Sequence, residues 1–313
     1  MSFSTPPKCV DFFIVGAPKA GTTALFEYLK RHPSVFLPTH KEPHYFSQDY
    51  PNIGGRIREL KDYEALFDGK SLGQKAGDAS VCYFGSQSAA NEIHDYNPEA
   101  KVIVMLRNPV DLFLSEHSQL LYSFYESEKD PARAWDLQEE REQGRSLPGG
   151  CREPMVLRYR QTCALGSNLA RIYSVFPKDQ VLPVLFDDFV RNTGGVYRDV
   201  LQFIGVDDDG RTDFPKVNER KAHRSGLIAR FLIAPPGFLA NWHAALRRRV
   251  AVSGSPVLQR VEDMARKFLV LISREGDKPK ITEADYKRIQ GDLAPEVEKL
   301  SELMGRDLSS WNR

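Results

Sequence analysis

One short stretch restricts the fold of this chain more than any other, because an apolar run, a glycine-containing turn and an amphipathic helix follow directly on one another. The run DFFIVG ends at Gly16, the turn reads GAPKAGTT over 16–23, and apolar side chains then recur at helical spacing. A strand, a tight turn and a helix in this order predict an α/β fold whose turn binds an anion. The unpaired amides and the dipole of a helix start attract negative charge.

The lysine of this turn is not where a Walker loop has it. Gly16 and Gly21 have the Walker spacing, but Thr22 stands where the lysine belongs and Lys19 lies inside the loop. Gly21 lets the backbone approach an anion, Thr22 and Thr23 add hydroxyl donors, and Lys19 can fold over the far side. The alternative is a strand–turn–helix with an incidental lysine.

Further strand-like and helical segments alternate along the chain. Nearly all-apolar runs at 101–106 and 180–189 are typical of strands buried on both faces. Helices are predicted at 22–31, 109–123, 167–176, 194–204 and 283–304. This alternation predicts an α/β protein with a central parallel sheet flanked by helices, a P-loop-like nucleotide-binding fold, and one domain over residues 1–313.

Composition excludes several classes of protein. The 313 residues carry 43 Lys+Arg against 42 Asp+Glu, a formal net charge of +1, which argues against a general nucleic-acid binder. The four cysteines, Cys9, Cys82, Cys151 and Cys163, lack the spacing of a zinc site or a disulfide framework. The chain start is too short and polar for a signal peptide, and no apolar run approaches the about 20 residues of a membrane span. We therefore expect a cytoplasmic protein without a metal site.

A second strand end predicts a second anion site. In VIVMLRNPVDLFLSEH, 102–117, Asn108 suits a helix cap and Pro109 the first helical position. Arg107 stands at the carboxyl end of the strand, where open α/β sheets bind ligands, and Ser115 follows on the helix. Two anion sites on one sheet suit a nucleotide with phosphates at both ends of its ribose. The alternative makes Arg107 a cap of a neighbouring helix and Ser115 an ordinary helix residue.

Two other regions are candidates for contact with an acceptor. The polar stretch 125–152 is predicted to be a surface excursion with a short helix. Residues 214–250 are predicted to close over a cofactor or line the acceptor site. Their apolar part, 227–250, is broken by Pro235-Pro236-Gly237 and ends in three arginines, which suits either two core-packed helices or a wall for an apolar or membrane-borne acceptor.

The two anion motifs together resemble those of sulfotransferases that use 3′-phosphoadenosine 5′-phosphosulfate (PAPS). FFIVGAPKAGTTAL is similar to their 5′-phosphosulfate loop and VIVMLRNPVDLFLSEH to their 3′-phosphate motif. Similarity continues through KEPHYFS, GDASVCYF, FPKDQVLPVLFDDFVRN, FPKVNERKAHRSGL and MGRDLSSW, which together reach across nearly the whole chain. The chain is closer to bacterial and heparan-type carbohydrate sulfotransferases than to the steroid and phenol type.

The resemblance implies roles for individual residues. Lys19 would stabilise charge on the leaving phosphate oxygen, Glu42 would be the general base, and His44 would assist at the acceptor side. The implied ligands of PAPS are Lys19, Ala20, Gly21, Thr22, Thr23, Arg107, Ser115, Arg220, Lys221 and Arg224. The residues alone also allow Glu42 to be a solvated loop charge paired with Lys41, and 217–225 to be a solvated basic loop. If SVFL is a strand followed by extended chain, Glu42 and His44 would share a face.

One departure from the family bears on the acceptor. Heparan-type enzymes carry a catalytic lysine in the segment that matches GDASVCYF, where this chain has Asp78, Ala79 and Ser80. Asp78 and Ser80 are therefore tentative acceptor contacts. We expect direct in-line sulfuryl transfer without a metal, yielding 3′-phosphoadenosine 5′-phosphate (PAP) and a sulfated carbohydrate, glycolipid or small hydroxylated metabolite.

Two rival functions stay open at this level, and so do the partners of the chain. A P-loop kinase or NTPase would use ATP and magnesium, and a non-catalytic protein of the same fold would only bind a nucleotide or carbohydrate. Peripheral contact with a membrane is compatible with the sequence, and the oligomeric state is not readable from it.

Overall fold

The structure, a computed structural model, describes residues 10–217, 221–223, 273–275 and 280–312. The chain divides into two compact units, each assembled from separate stretches. The first unit comprises Met1–Asp49, Ile57–Arg107 and Asn168–Val217, and the second comprises Tyr50–Arg56, Asn108–Ser167 and Asn218–Arg313. Because neither unit is a contiguous stretch of sequence, the prediction of one domain over 1–313 stays a prediction.

The first unit contains a five-stranded sheet. Its strands are β1 (Phe12–Gly16), β2 (Val35–Phe36), β3 (Lys75–Ala79), β4 (Lys101–Leu106) and β5 (Val181–Leu185). All four pairings are parallel, and the strand order is β2-β3-β1-β4-β5. The prediction of a central parallel sheet flanked by helices is confirmed.

Eleven α-helices lie in the described part of the chain. They are α1 (Thr22–Leu29), α2 (Leu60–Ala65), α3 (Ala89–Tyr96), α4 (Pro109–Tyr122), α5 (Pro131–Asp136), α6 (Gln138–Glu142), α7 (Tyr159–Cys163), α8 (Leu165–Tyr173), α9 (Phe186–Arg191), α10 (Thr193–Ile204) and α11 (Glu283–Met304). Four predicted helices correspond to α1, α4, α10 and α11 within two residues at each end. The predicted helix 167–176 corresponds to α8, which begins two and ends three residues earlier.

The core of the first unit follows from the apolar strands. All five residues of β1 are buried, and so are the five apolar residues of β4. The apolar run at 180–189 is only half strand, because β5 ends at Leu185 and α9 begins at Phe186. Asp187 and Asp188 in the first turn of α9 favour this helix start, since carboxylates there interact well with the helix dipole.

The second unit contains the helix that follows β4 in sequence. Asn108 caps α4, and its side chain accepts hydrogen bonds from the amides of Val110 and Asp111, with Pro109 at the first helical position. In the same unit the indole of Trp135 donates to Asp292 of α11 at 2.9 Å. The predicted cap and helix start are therefore confirmed.

The polar stretch 125–152 is more buried than its composition indicates. It forms two short helices, α5 and α6, and its Trp135 is fully buried. Arg141 donates two hydrogen bonds to the carboxylate of Glu126, at 2.7 and 2.9 Å, and Tyr159 donates a third at 2.9 Å. This paired and hydrogen-bonded network lets charged side chains enter the interior. Half of the stretch is exposed, and its interpretation as a surface excursion stays a prediction.

The apolar region 227–250 lies outside the described residues, so its two interpretations stay predictions. On either side of it, Lys221–His223 pairs antiparallel with Ser273–Glu275 as strands β6 and β7. None of the helices in the described ranges is both long and apolar enough to cross a bilayer.

Candidate active site

The turn after β1 needs glycine at both of its ends. Gly16 has φ +131°, and a Cβ there would lie 2.7 Å from the carbonyl oxygen of Val81. Gly21 has φ +91° and is the N-cap of α1, where a Cβ would meet the rings of Phe186 and Phe189 at 3.2 Å. Only glycine combines these positive φ angles with such close neighbours. The two glycines with the spacing of a Walker loop thus determine the shape of the turn.

The start of α1 presents donors to this turn. Its N-cap is a glycine, so no side chain caps the first amides of the helix. Thr22 and Thr23 open the helix, the first buried and the second half-buried, and Ala20 is fully buried. These positions match the predicted phosphosulfate ligands and give the helix start the features of an anion site.

Arg107 is held against the same turn. The Nη1 atom of its guanidinium donates to the carbonyl oxygen of Lys19 at 3.1 Å. The guanidinium stacks over the ring of Phe186, with its central carbon 4.9 Å from the ring centroid. Lys19 itself is half-buried and has φ +59°. Arg107 and Lys19, predicted for two separate anion sites, thus contact each other through the Lys19 backbone.

The segment with Glu42 and His44 lies along the end of β3. The amide of Glu42 donates to the carbonyl oxygen of Ala79 at 3.1 Å, and the amide of His44 donates to the hydroxyl of Ser80 at 3.2 Å. Glu42 has φ +65° and His44 φ +53°, so the expectation of extended backbone was wrong. Left-handed backbone at such residues costs about 1–3 kcal/mol and is concentrated at functional sites.

Three neighbouring side chains act on the carboxylate of Glu42. Lys41 forms an ion pair with Oε1, and Nε2 of His44 lies 3.7 Å from Oε2. Burial alone would raise the pKa of Glu42, but the interactions with Lys41, His44 and Lys19 outweigh it and lower the pKa below its ordinary value. The side chain remains 35% exposed. Glu42 is therefore an ionised, accessible carboxylate within the electrostatic reach of Lys19, and the pairing with Lys41 is real.

Asp78 and Ser80 lie in the interior, beneath the Glu42 segment. Both are fully buried, and Asp78 accepts hydrogen bonds from Ser80 at 2.9 Å, Tyr63 at 3.0 Å and Tyr83 at 2.9 Å. Their contact with an acceptor stays a prediction. What the geometry shows is a support: Ser80 accepts from the His44 amide with its oxygen and donates its proton to Asp78.

Asp78 predicts a pH dependence of stability. Burial raises its pKa to about 6, although the hydrogen bonds from Tyr83, Ser80 and Tyr63 and the charge of Lys41 oppose this. Between pH ~4 and ~6 the folded protein therefore binds a proton that the unfolded chain has lost, so stability falls as the pH rises. Relative to Asp78→Asn, the wild type should lose about 3 kcal/mol across this window.

Urea unfolding of both proteins at intervals from pH 4 to pH 8 measures this difference. The difference should flatten above about pH 7, where Asp78 is ionised in both states. If the free energies of unfolding of the wild type and the Asp78→Asn variant differed by the same amount at every pH, Asp78 would not titrate in this window.

The structure locates the other predicted residues only in part. Ser115 lies on α4 in the second unit and is 7% exposed. Arg220 and Arg224 lie outside the described residues, and Lys221 is described only as part of β6. Within the described ranges no three His, Cys, Asp or Glu side chains form a group that could hold a metal ion.

Sequence reasoning missed four contributors to the site. The sulfur of Cys82 lies 2.8 Å from Nδ1 of His44. Tyr63 and Tyr83 donate hydrogen bonds to Asp78, and the guanidinium of Arg107 stacks on the ring of Phe186. Phe186 lay inside the predicted strand-like run 180–189, and only the structure, which ends β5 at Leu185, places it at a strand end. No signal in the sequence marked Tyr63 or Cys82, because each is far in sequence from the residue it contacts, Asp78 or His44.

The chain is similar to known proteins over most of its length. The family model described as "Sulfotransferase domain" matches residues 10–216. A crystal structure of a sulfotransferase from Alicyclobacillus acidocaldarius is 28% identical with a TM-score of 0.68, covering 97% of this chain and 99% of that one.

Two curated relatives are mouse enzymes. Heparan sulfate glucosamine 3-O-sulfotransferase 6 of Mus musculus is 38% identical over 34% of this chain and 30% of its own length. Carbohydrate sulfotransferase 15 of Mus musculus is 30% identical over 62% of this chain and 43% of its own length. The match thus spans less than half of each relative. The family model, which covers most of the chain, places this protein in the sulfotransferase domain family.

Proposed function

We propose that this protein transfers the sulfuryl group of PAPS to a hydroxyl group of an acceptor. One observation carries the proposal: the loop cation Lys19, the ionised Glu42 and the strand-end cation Arg107 are grouped at the carboxyl ends of parallel strands. Open α/β sheets bind their ligands at this edge. The family match supports sulfuryl transfer as the reaction class.

The donor would be bound at two places. The amides at the start of α1, with Thr22 and Thr23, would hold the 5′-phosphosulfate, and Lys19 would face its bridging oxygen. For the 3′-phosphate, the motif that follows β4 predicts contacts with Arg107 and Ser115, and the segment 217–225 predicts closure by Arg220, Lys221 and Arg224; both stay predictions from the sequence. PAP would be the product that remains after transfer.

The reaction would be a direct displacement. As the acceptor oxygen forms its bond to sulfur, the bond from sulfur to the bridging oxygen breaks and its electron pair goes to the leaving phosphate. The acceptor proton passes to Glu42, which the positive charges around it keep ionised at neutral pH. Lys19 stabilises the charge that develops on the leaving oxygen. His44 orients Glu42 and meets the acceptor.

No metal is assigned a role in this scheme. A sulfuryl group carries less negative charge than a terminal phosphoryl group. One lysine and the helix amides can therefore stabilise the transferred group, whereas a kinase uses magnesium to neutralise the charge of its phosphates. A kinase or NTPase is the less suitable interpretation, because the loop has threonine where the Walker lysine would be.

The acceptor is proposed to be a carbohydrate hydroxyl, free or on a glycolipid. The mouse relatives are named for heparan sulfate glucosamine and for carbohydrate, which supports this class. A small hydroxylated metabolite is a further outcome of the test. Cytoplasmic location, contact with a membrane surface and oligomeric state stay predictions.

Transfer from sulfur-labelled PAPS to a panel of acceptors tests the function. The panel holds glucosamine-containing oligosaccharides, glycolipids and small alcohols, each with and without EDTA. We expect label in a sulfate ester, formed at an equal rate in EDTA. Release of label only as inorganic sulfate, or transfer of phosphate from ATP in its place, would contradict the proposal.

A further inference from the structure

The imidazole of His44 lies between a carboxylate and a thiol. Its Nε2 is 3.7 Å from Oε2 of Glu42, and its Nδ1 is 2.8 Å from the sulfur of Cys82. The His44 side chain is 5% exposed. Each ring nitrogen therefore faces a protein group. The position of the ring proton decides whether the carboxylate of Glu42 faces an N–H group or a nitrogen lone pair.

The two groups favour one tautomer of the ring. A neutral imidazole has one nitrogen that donates and one that accepts, and a thiol is a weak donor and a weaker acceptor. Burial, with the negative charge of Glu42, raises the pKa of the Cys82 thiol well above its ordinary value, so the proton stays on sulfur. With Nδ1 accepting from the thiol, Nε2 carries hydrogen toward the carboxylate. The other tautomer would turn a lone pair to the carboxylate.

Hydrogen bonds hold the backbone of His44 independently of the thiol. Ser80 accepts from the His44 amide at 3.2 Å, and Ser47 donates to the His44 carbonyl oxygen at 3.0 Å. The hydroxyl of Ser47 also lies beside the Cys82 sulfur and is the competing partner for the thiol proton. Removing the thiol should therefore change the ring proton and leave the loop in place.

We propose that Cys82 is a positioning residue that donates to Nδ1 of His44 and thereby holds Nε2–H toward Glu42. The role of this contact in catalysis rests on the proposed function. The tautomer of His44 does not depend on it. At 3.7 Å, Nε2 and Oε2 of Glu42 are too far apart for a hydrogen bond, but an Nε2–H dipole attracts the carboxylate, whereas a lone pair on Nε2 would repel it. Glu42 can then meet an acceptor hydroxyl in one orientation.

Nitrogen NMR of the histidine rings tests the tautomer directly. Wild type, Cys82→Ser and Cys82→Ala are labelled with ¹⁵N-histidine, and His44→Asn assigns the resonance among the seven histidines. Above the pH at which the rings titrate, wild type and Cys82→Ser should show Nε2–H, and Cys82→Ala should show a mixture. Cys151→Ala, which removes a half-buried thiol of the second unit, should match wild type.

Kinetics supply the second readout. Cys82→Ala should lower kcat by about tenfold with KM for PAPS unchanged, as expected for the loss of an orienting partner, and Cys82→Ser should recover most of it. An Nδ1–H ring in the wild type, or an unchanged ring in Cys82→Ala, would overturn the inference and direct the thiol proton to Ser47. If the tautomer is as inferred but the wild type transfers no label from PAPS to any acceptor, the proposed function fails and the positioning contact stands.

Discussion

Lys19→Ala should lower kcat by about 10²- to 10³-fold, because the charge on the leaving phosphate oxygen would lose its closest cation. The loop itself should survive, since Gly16 and Gly21 shape it and Arg107 needs only the carbonyl oxygen of residue 19. KM for PAPS should change much less than kcat. Steady-state rates with PAPS and the acceptor found in the screen measure both constants.

Lys30→Ala is the matched control for this prediction. Lys30 is an exposed lysine just after α1, and its loss should leave kcat within about twofold of wild type, as expected for a surface site away from the reacting atoms. If Lys19→Ala raised KM alone and kept kcat, Lys19 would bind the donor in the ground state and would not stabilise the leaving group.

Glu42→Gln should lower kcat by about 10²- to 10⁴-fold, the range that a general base contributes. The amide keeps the shape of the side chain but cannot take the acceptor proton. Because the pKa of Glu42 is lowered, the acid limb of kcat/KM should lie below the ordinary range of a glutamate and disappear in the variant. A pH–rate profile of both proteins shows this.

Two measurements separate catalysis from folding in this variant. Glu64→Gln changes an exposed glutamate of α2 and should behave as wild type. Binding of PAP to Glu42→Gln should be close to normal, since Glu42 is assigned to the acceptor proton and not to the nucleotide. Wild-type turnover by Glu42→Gln would remove Glu42 as the base and make it a loop charge paired with Lys41.

The sequence predicts the fold well where strands are apolar throughout. The cores of β1 and β4 are runs of buried aliphatic and aromatic residues, which only a sheet covered on both faces accommodates. β3 was missed because its sequence, KAGDA, lacks the β-branched and aromatic residues typical of a strand. Its Asp78 is tolerated because Tyr63, Tyr83 and Ser80 donate to it, and the contact with Tyr63, 15 residues away, leaves no local signal.

The candidate site was predictable by residue type but not by geometry. Lys19, Glu42 and Arg107 follow from the motifs, and the structure brings them together. The left-handed backbone at Glu42 and His44 was not foreseen, because neither residue prefers it and hydrogen bonds to Ala79 and Ser80 impose it. The thiol beside His44 could be found only once β3 was in place.

The donor is tested most directly by thermal unfolding of the wild type with either PAP or ATP and magnesium at equal concentration. A ligand present at about 100 times its dissociation constant stabilises the folded state by about 2.7 kcal/mol. PAP should raise the unfolding temperature in EDTA, ATP with magnesium should raise it less, and Arg107→Ala should weaken the effect of PAP. A larger shift with ATP and magnesium than with PAP would contradict the assignment of PAPS as the donor.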